Sequence, residues 1–217
     1  IGMSVRNWLV RIVLIVAALS SIDIVLSTAT RAALLTLAAG VLVLMFSGSF
    51  RQRVTVLAVT LAGIALAQAV LPQGVINRLS TLWSDDPVDD QSVEALGSAQ
   101  ARKALVMRGI EYAVRNPILG VGPGQFAGYD AGITKAKVGR AQWQVTHNSY
   151  IEVAAEAGFP AFICFVGAFV VTLRKLAQVR RLARSDPAAA DLATAALCLM
   201  VAVFMHTVSA AFLSLGY

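Results

Sequence analysis

At 217 residues, 58% of them hydrophobic and only 14% charged, the chain is too apolar for an ordinary soluble domain, in which about 25% of residues are charged. The net charge of +6 needs no nucleic acid to explain it, because the basic residues gather beside apolar runs, where a membrane protein keeps its cytoplasmic flank. Those runs are continuous rather than alternating, which excludes a transmembrane barrel and predicts helices.

Five runs approach the length of roughly 20 apolar residues that a bilayer crossing needs. Residues 9–28 are interrupted by Arg11 and Asp23; 32–50 and 54–71 carry no charge; 157–173 is short and uncharged; 192–211 carries only His206. The predicted fold is all-α: a polytopic transmembrane helix bundle of about five spans, with a long outer loop, on the side away from the cytoplasm, that contains an amphipathic helix. Residues 1–71 hold spans one to three, 72–146 form the loop, and 147–217 hold spans four and five. Arg6 and Arg11 precede or open span one, Arg51 and Arg53 lie between spans two and three, and Arg174, Lys175, Arg180, Arg181 and Arg184 lie between spans four and five. All three clusters fall on one side, which the positive-inside bias makes cytoplasmic. The loop then faces outward, and its eight basic and seven acidic residues leave it nearly neutral. The first span lacks a clear cleavage site and reads as an anchor. The opening Ile1 and the apolar ending at Tyr217 are those expected of a piece of a larger membrane protein. Cys164 and Cys198 fall inside spans and read as small core hydrophobes, with no disulfide framework or metal pair.

Within the loop, residues 73–97 with Asp85, Asp86, Asp89 and Asp90 read as a solvated stretch without the carboxylate spacing of a calcium loop. Residues 98–115 place Leu105, Val106, Ile110, Ala113 and Val114 on or near one helical face. Arg102 and Lys103 begin this helix and Asn116-Pro117 stops it. It lies on the membrane surface or packs on the bundle. Arg108 and Arg115 read as helix-surface charges. Gly120-Val121-Gly122-Pro123-Gly124 follows as a tight turn needing positive φ, or as backbone in direct contact with a ligand; it lacks the strand and helix of a dinucleotide site.

Arg31 opens span two after Thr28 and Thr30, either of which can cap the helix. A guanidinium at a helix N-terminus suits a phosphate; the alternative is an arginine snorkelling to the membrane edge. Asp23 is a possible partner. His147 stands at the mouth of span four. With Thr146 as cap, it shares a face with Ile151, Ala154 and Gly158, while Asn148, Glu152 and Glu156 follow an adjacent one. An imidazole there can act as a base near neutral pH. His206 reads as a helix–helix hydrogen bond deep in span five.

Four segments, taken in order, resemble the C-terminal half of the O-antigen ligase and polymerase family of bacterial inner-membrane proteins. Arg31 in Thr28-Ala29-Thr30-Arg31-Ala32-Ala33-Leu34-Leu35 is similar to the family's arginine followed, after three residues, by leucine. Arg102 stands fifteen residues before Pro117, as the family's loop arginine does. The stretch Asn116 to Phe126 fits Pro-x-x-Gly-x-Gly-x-x-x-Phe, and His147 precedes Gly158 by the family's ten intervening residues. The resemblance implies a glycosyltransferase that takes a glycan from undecaprenyl diphosphate at the periplasmic face of the inner membrane. Ligases pass it to lipid A–core, polymerases to another repeat unit, and relatives to protein. It implies that Arg31 and Arg102 neutralise the diphosphate and His147 deprotonates the acceptor hydroxyl. Asn148, Gly122 and Gly124 are expected to help bind substrate. No cofactor, metal or nucleic acid is expected. An anion transporter or a non-catalytic membrane scaffold are the rival readings; polar groups gathered at one face rather than at the midplane favour the enzyme.

Overall fold

The structure, a computed structural model, describes Trp8 and residues 31–70, 90–138 and 143–213, and within these every side chain except those at 31, 64–70, 90–99, 137 and 138. The predicted first span lies outside the described residues. Every described element is helical: α1 (Arg31–Ser47), α2 (Phe50–Val70), α3 (Asp90–Arg115), α4 (Phe126–Val138), α5 (Ser149–Ala183), a short 3₁₀ turn (Pro187–Ala189) and α6 (Ala190–Ser209). Two described stretches, Ser149–Ala183 and Pro187–Ser209, are long and apolar enough to cross a membrane, and α1 is apolar but shorter. The chain divides into two compact units, one made of 1–92 and 172–206, the other of 93–171 and 207–217.

In the first unit α1 and α2 are joined at Gly48 and Ser49. Ser49 N–H donates to Gln52 Oε1 at 2.8 Å, the back-reach of a Ser-x-x-Gln capping box. The Ser47 carbonyl, orphaned at the end of α1, accepts from Arg180 Nη2 and, at 3.2 Å, from Arg184 Nη2. Arg53 Nε donates to Gly48 O at 3.1 Å. Cations at a helix C-terminus satisfy free carbonyls and face the negative end of the dipole. The basic turn after α1 and the basic tail of α5 therefore meet at one end of this unit, where the charge pattern puts them. A Cβ on Gly40 would stand 2.7 Å from Met205 Sδ, so α1 and α6 approach through a small residue, as membrane helices do. His206 sits in the last turn of α6 with an exposed side chain, not deep in the helix. Cys164 is exposed on α5 rather than packed in a core, and Cys198 is half-buried.

In the second unit α3 begins at Asp90, ahead of the expected start at 98. An aspartate suits the positive end of a helix, and the sequence Val93-Glu94-Ala95-Leu96 that follows gives no reason to stop. The apolar face also differs from the expected one. Leu105, Tyr112 and Ala113 are buried, whereas Met107, Ile110 and Val114 are exposed. At about 100° per residue Val114 points opposite Leu105, so α3 carries two apolar faces rather than one. The inner face packs on Phe126 of α4 and on Ala154 and Ala155 of α5. The helix α4 is absent from the sequence reading, although Phe126, Tyr129, Asp130 and Ile133 recur at helical spacing.

Arg108 is not a plain surface charge. Its Nε lies 2.8 Å from Oδ1 of Asp130, which is fully buried. The Tyr112 hydroxyl donates to the same Oδ1 at 2.8 Å, and its ring meets Phe126 and Tyr129 at centroid distances of 5.7 and 4.9 Å. Burial, and then the Asp130 carboxylate, hold the Tyr112 phenol well above its ordinary range, so it remains a donor. Arg115 is the surface charge expected, paired with Glu111 one turn back. Tyr112→Phe keeps the ring and removes the donor from a buried carboxylate. It is expected to destabilise the protein by about 1–3 kcal/mol, read as a lowered unfolding midpoint in detergent; an unchanged midpoint would show that the hydroxyl contributes nothing.

Candidate active site

The site is built on a break in α5. Pro160 lies inside this helix, and Gly158 just before it has φ 78° and ψ 176°, a conformation that only glycine adopts without strain. A proline has no N–H to offer the carbonyl four residues earlier, here that of Glu156. That carbonyl accepts instead from Gly122 N–H at 2.9 Å. The break releases a second carbonyl, that of Ala155, which accepts from Val121 N–H at 2.8 Å, and it sends Phe159 N–H to the Pro117 carbonyl at 2.8 Å. The glycine-rich loop thus completes the backbone pairing that the helix lost. The approach leaves no room for side chains: a Cβ on Gly158 would fall onto the Ile118 carbonyl, and one on Gly120 onto the backbone of Glu156.

The Glu156 side chain finishes the lock. It is 1% exposed, and its Oε2 and Oε1 accept from Gly124 N–H at 2.8 Å and Phe126 N–H at 2.9 Å. Phe126 is the first residue of α4. A carboxylate here occupies the position that a helix N-terminus and a run of glycine amides offer to an anion. The amides of Gly122 and Gly124 are therefore already bonded within the protein. Glu156 escaped the sequence reading as a structural residue; its signal is an acidic side chain two residues before a glycine, on the apolar side of a helix that also carries a proline.

The start of α5 positions the imidazole. Asn148 Oδ1 accepts from Ile151 N–H at 3.1 Å, which makes Asn148 the N-cap. Thr146, the expected cap, supports it: its Oγ1 donates to the Asn148 carbonyl at 3.0 Å and lies 3.3 Å from Asn148 N. Thr146 stands two residues ahead of this cap, with His147 between them at a φ of 51°, uncommon for a residue with a side chain. Ser149 N–H donates to Ala210 O at 2.8 Å and Tyr150 Oη to Thr207 O at 2.7 Å, so the helix start is tied to the segment 207–210. His147 is left exposed.

His147 and Arg102, far apart in sequence, line one cleft of about 310 Å³ together with Leu105, Trp143, Gln144 and Val145. Arg102 is exposed on α3 and Leu105, one turn on, is buried in the floor. Trp143 was not singled out in the sequence; an exposed indole, 75% accessible, is the clue that only a structure supplies. Arg31 is the first residue of α1, and its side chain lies outside the described residues, as do Asp23, Thr28 and Thr30.

A family model described as O-antigen ligase matches residues 15–166, a stretch that contains Arg31, Arg102, the glycine loop, His147 and Gly158. No curated protein and no solved structure matches the chain.

Two substitutions test the lock. Glu156→Gln turns an amide NH₂ toward a backbone N–H and is expected to cost about 1–3 kcal/mol, seen as a lower unfolding midpoint and faster proteolysis between Ile118 and Phe126. Gly158→Ala combines a forced positive φ with a backbone collision and is expected to abolish recovery of folded protein, whereas Gly124→Ala, whose Cβ meets nothing within 4 Å, suffers only from its own φ of 70° and is expected to fold. Equal yields of the two glycine variants would remove the steric part of this account.

Proposed function

Because the chain belongs to the O-antigen ligase family, we propose that it moves a glycan from undecaprenyl diphosphate to a hydroxyl of lipid A–core at the periplasmic face of the bacterial inner membrane. The observation that carries this reading is the shared cleft of Arg102 and His147. In the proposed reaction the acceptor oxygen attacks the anomeric carbon, forming the new glycosidic bond. The bond from that carbon to the phosphate oxygen breaks, and the diphosphate leaves with the electron pair. His147 takes the acceptor's proton. Arg102 faces the charge that builds on the leaving group, the planar guanidinium matching a phosphate edge with paired N–H donors. Arg31 is the second guanidinium of the proposal, at the N-terminal end of an apolar helix. Asn148 acts by holding the first turn that carries His147. Gly122 and Gly124 bind substrate through the shape of the loop, since their amides serve Glu156. No metal or cofactor is assigned a part.

Membrane embedding supports the reading. His147 directly precedes Asn148 and the helix Ser149–Ala183, which is long and apolar enough to cross a bilayer, and the arginines in its tail favour a cytoplasmic far end by the positive-inside bias. The exposed Met107, Ile110 and Val114 give α3 an apolar outer face suited to the bilayer surface. A polyprenyl donor is delivered along that surface.

The test is glycan transfer by the full-length protein in detergent with a defined undecaprenyl-diphosphate glycan. His147→Ala is expected to lower kcat about 10²–10⁴-fold, the usual contribution of a positioned base, while unfolding behaviour stays that of the parent. Arg102→Ala is expected to lower transfer strongly and Arg102→Lys to restore only part of it. Transfer by His147→Ala at the parent rate would remove the base. A panel of lipid A–core, repeat-unit glycan and peptide acceptors separates ligase, polymerase and protein-transfer activities, and product from lipid A–core is the expected outcome.

A further inference from the structure

We propose that the Trp143 indole is the seat of a pyranose ring in the cleft, with its face against the C–H face of the sugar and the Gln144 amide on the sugar's hydroxyls. The proposal rests on the reading above and adds to it the place where saccharide, as distinct from diphosphate, is held. Trp143 is 75% exposed, and an indole joins a broad apolar face to a polar N–H, which suits a partner that is apolar on one face and polar at its edge. It is not adrift. A methyl group on Gly128 of α4 would stand 3.5 Å from Cζ3 and 3.8 Å from Cη2 of the indole, so the six-membered ring edge approaches α4 at a residue without a side chain while much of the ring stays open. The surroundings decide what it faces. Arg102, His147 and Gln144 share the cleft with it. An acyl chain would bring no hydrogen-bonding group to the Arg102 guanidinium or the Gln144 amide. A pyranose satisfies both sides at once, its axial hydrogens meeting the electron-rich indole face and its equatorial hydroxyls meeting amide and guanidinium. At about 310 Å³ the cleft is at the lower end of ligand pockets, which run from roughly 300 to 1,000 Å³, so it takes a sugar with its phosphate rather than a long oligosaccharide.

The sugar can belong to the donor or to the acceptor, and kinetics distinguish them. In full-length protein Trp143→Ala is expected to raise KM about tenfold for one of the two substrates, the scale of a lost aromatic contact, with kcat within about twofold and with Trp143→Phe recovering much of the loss. A rise confined to the donor places donor sugar on the indole, and a rise confined to the acceptor places acceptor sugar there. A binding measurement is independent of turnover: tryptophan emission should shift when donor glycan or acceptor saccharide is added to the parent and not when it is added to Trp143→Phe, and undecaprenyl diphosphate without sugar should give no shift. Unchanged KM values for both substrates in an active Trp143→Ala protein would overturn the subsite and leave the transfer reaction standing. A saccharide-dependent shift in a protein that transfers nothing would keep the subsite and overturn the reaction. A shift produced equally by sugar-free undecaprenyl diphosphate or by empty lipid nanodiscs would assign the indole to lipid and end the proposal.

Discussion

Everything around the cleft depends on three backbone hydrogen bonds between a broken helix and a glycine loop. A helix containing Gly158 and Pro160 has carbonyls and an N–H with no internal partner, and buried polar groups left that way are costly. Residues 117–122 supply what is missing, through Val121 N–H, Gly122 N–H and the Pro117 carbonyl. The kink and the loop are therefore one object. Neither half is satisfied without the other, and the glycines at 120 and 158 are what let the two backbones touch.

Glu156 gives this object its electrostatic sense. Glycine amides ahead of a helix form a concavity with a partial positive charge, which commonly holds phosphate. Here the protein's own carboxylate fills it. The loop's amides are thereby taken, and on the described surface it is the Arg102 guanidinium, a side chain on another element, that shares a cleft with the imidazole. The same division appears inside the unit. Asp130, buried against Tyr112 and Arg108, ties α3 to α4, so the helix that carries Arg102 is fixed by one buried carboxylate and the loop below it by another.

Much of this was readable in the sequence, and the failures have physical causes. The apolar runs gave the long helices because length and absence of charge are one-dimensional properties. Asn116-Pro117 ended α3 at the right place because proline acts locally on its neighbour. His147 stands out by its position at the mouth of a helix and Arg102 by its spacing before Pro117 in the family resemblance, and the structure brings the two to one cleft although Arg102 lies well inside α3. Arg108 was misjudged because its partner, Asp130, lies on a helix that was itself overlooked: α4 is short, follows a glycine turn, and puts an aspartate on its buried face, which hides the apolar period. Thr146 reads as the cap in the sequence because threonine is a good one; with His147 in a left-handed turn, that duty falls to Asn148. The role of Glu156 leaves only a faint local trace, since its partners come from a loop some thirty residues earlier.

The lock also sets a rule for how this stretch can vary. Amides at 121, 122, 124 and 126 each meet a fixed acceptor on Ala155 or Glu156, while the Leu119 side chain between them and α3 is 81% exposed. Replacing an outward side chain leaves every bond in place. Adding or removing a single residue slides all later amides out of register and strands a carboxylate in the interior. Spacing, together with the two glycines at the contact, is the heritable quantity here.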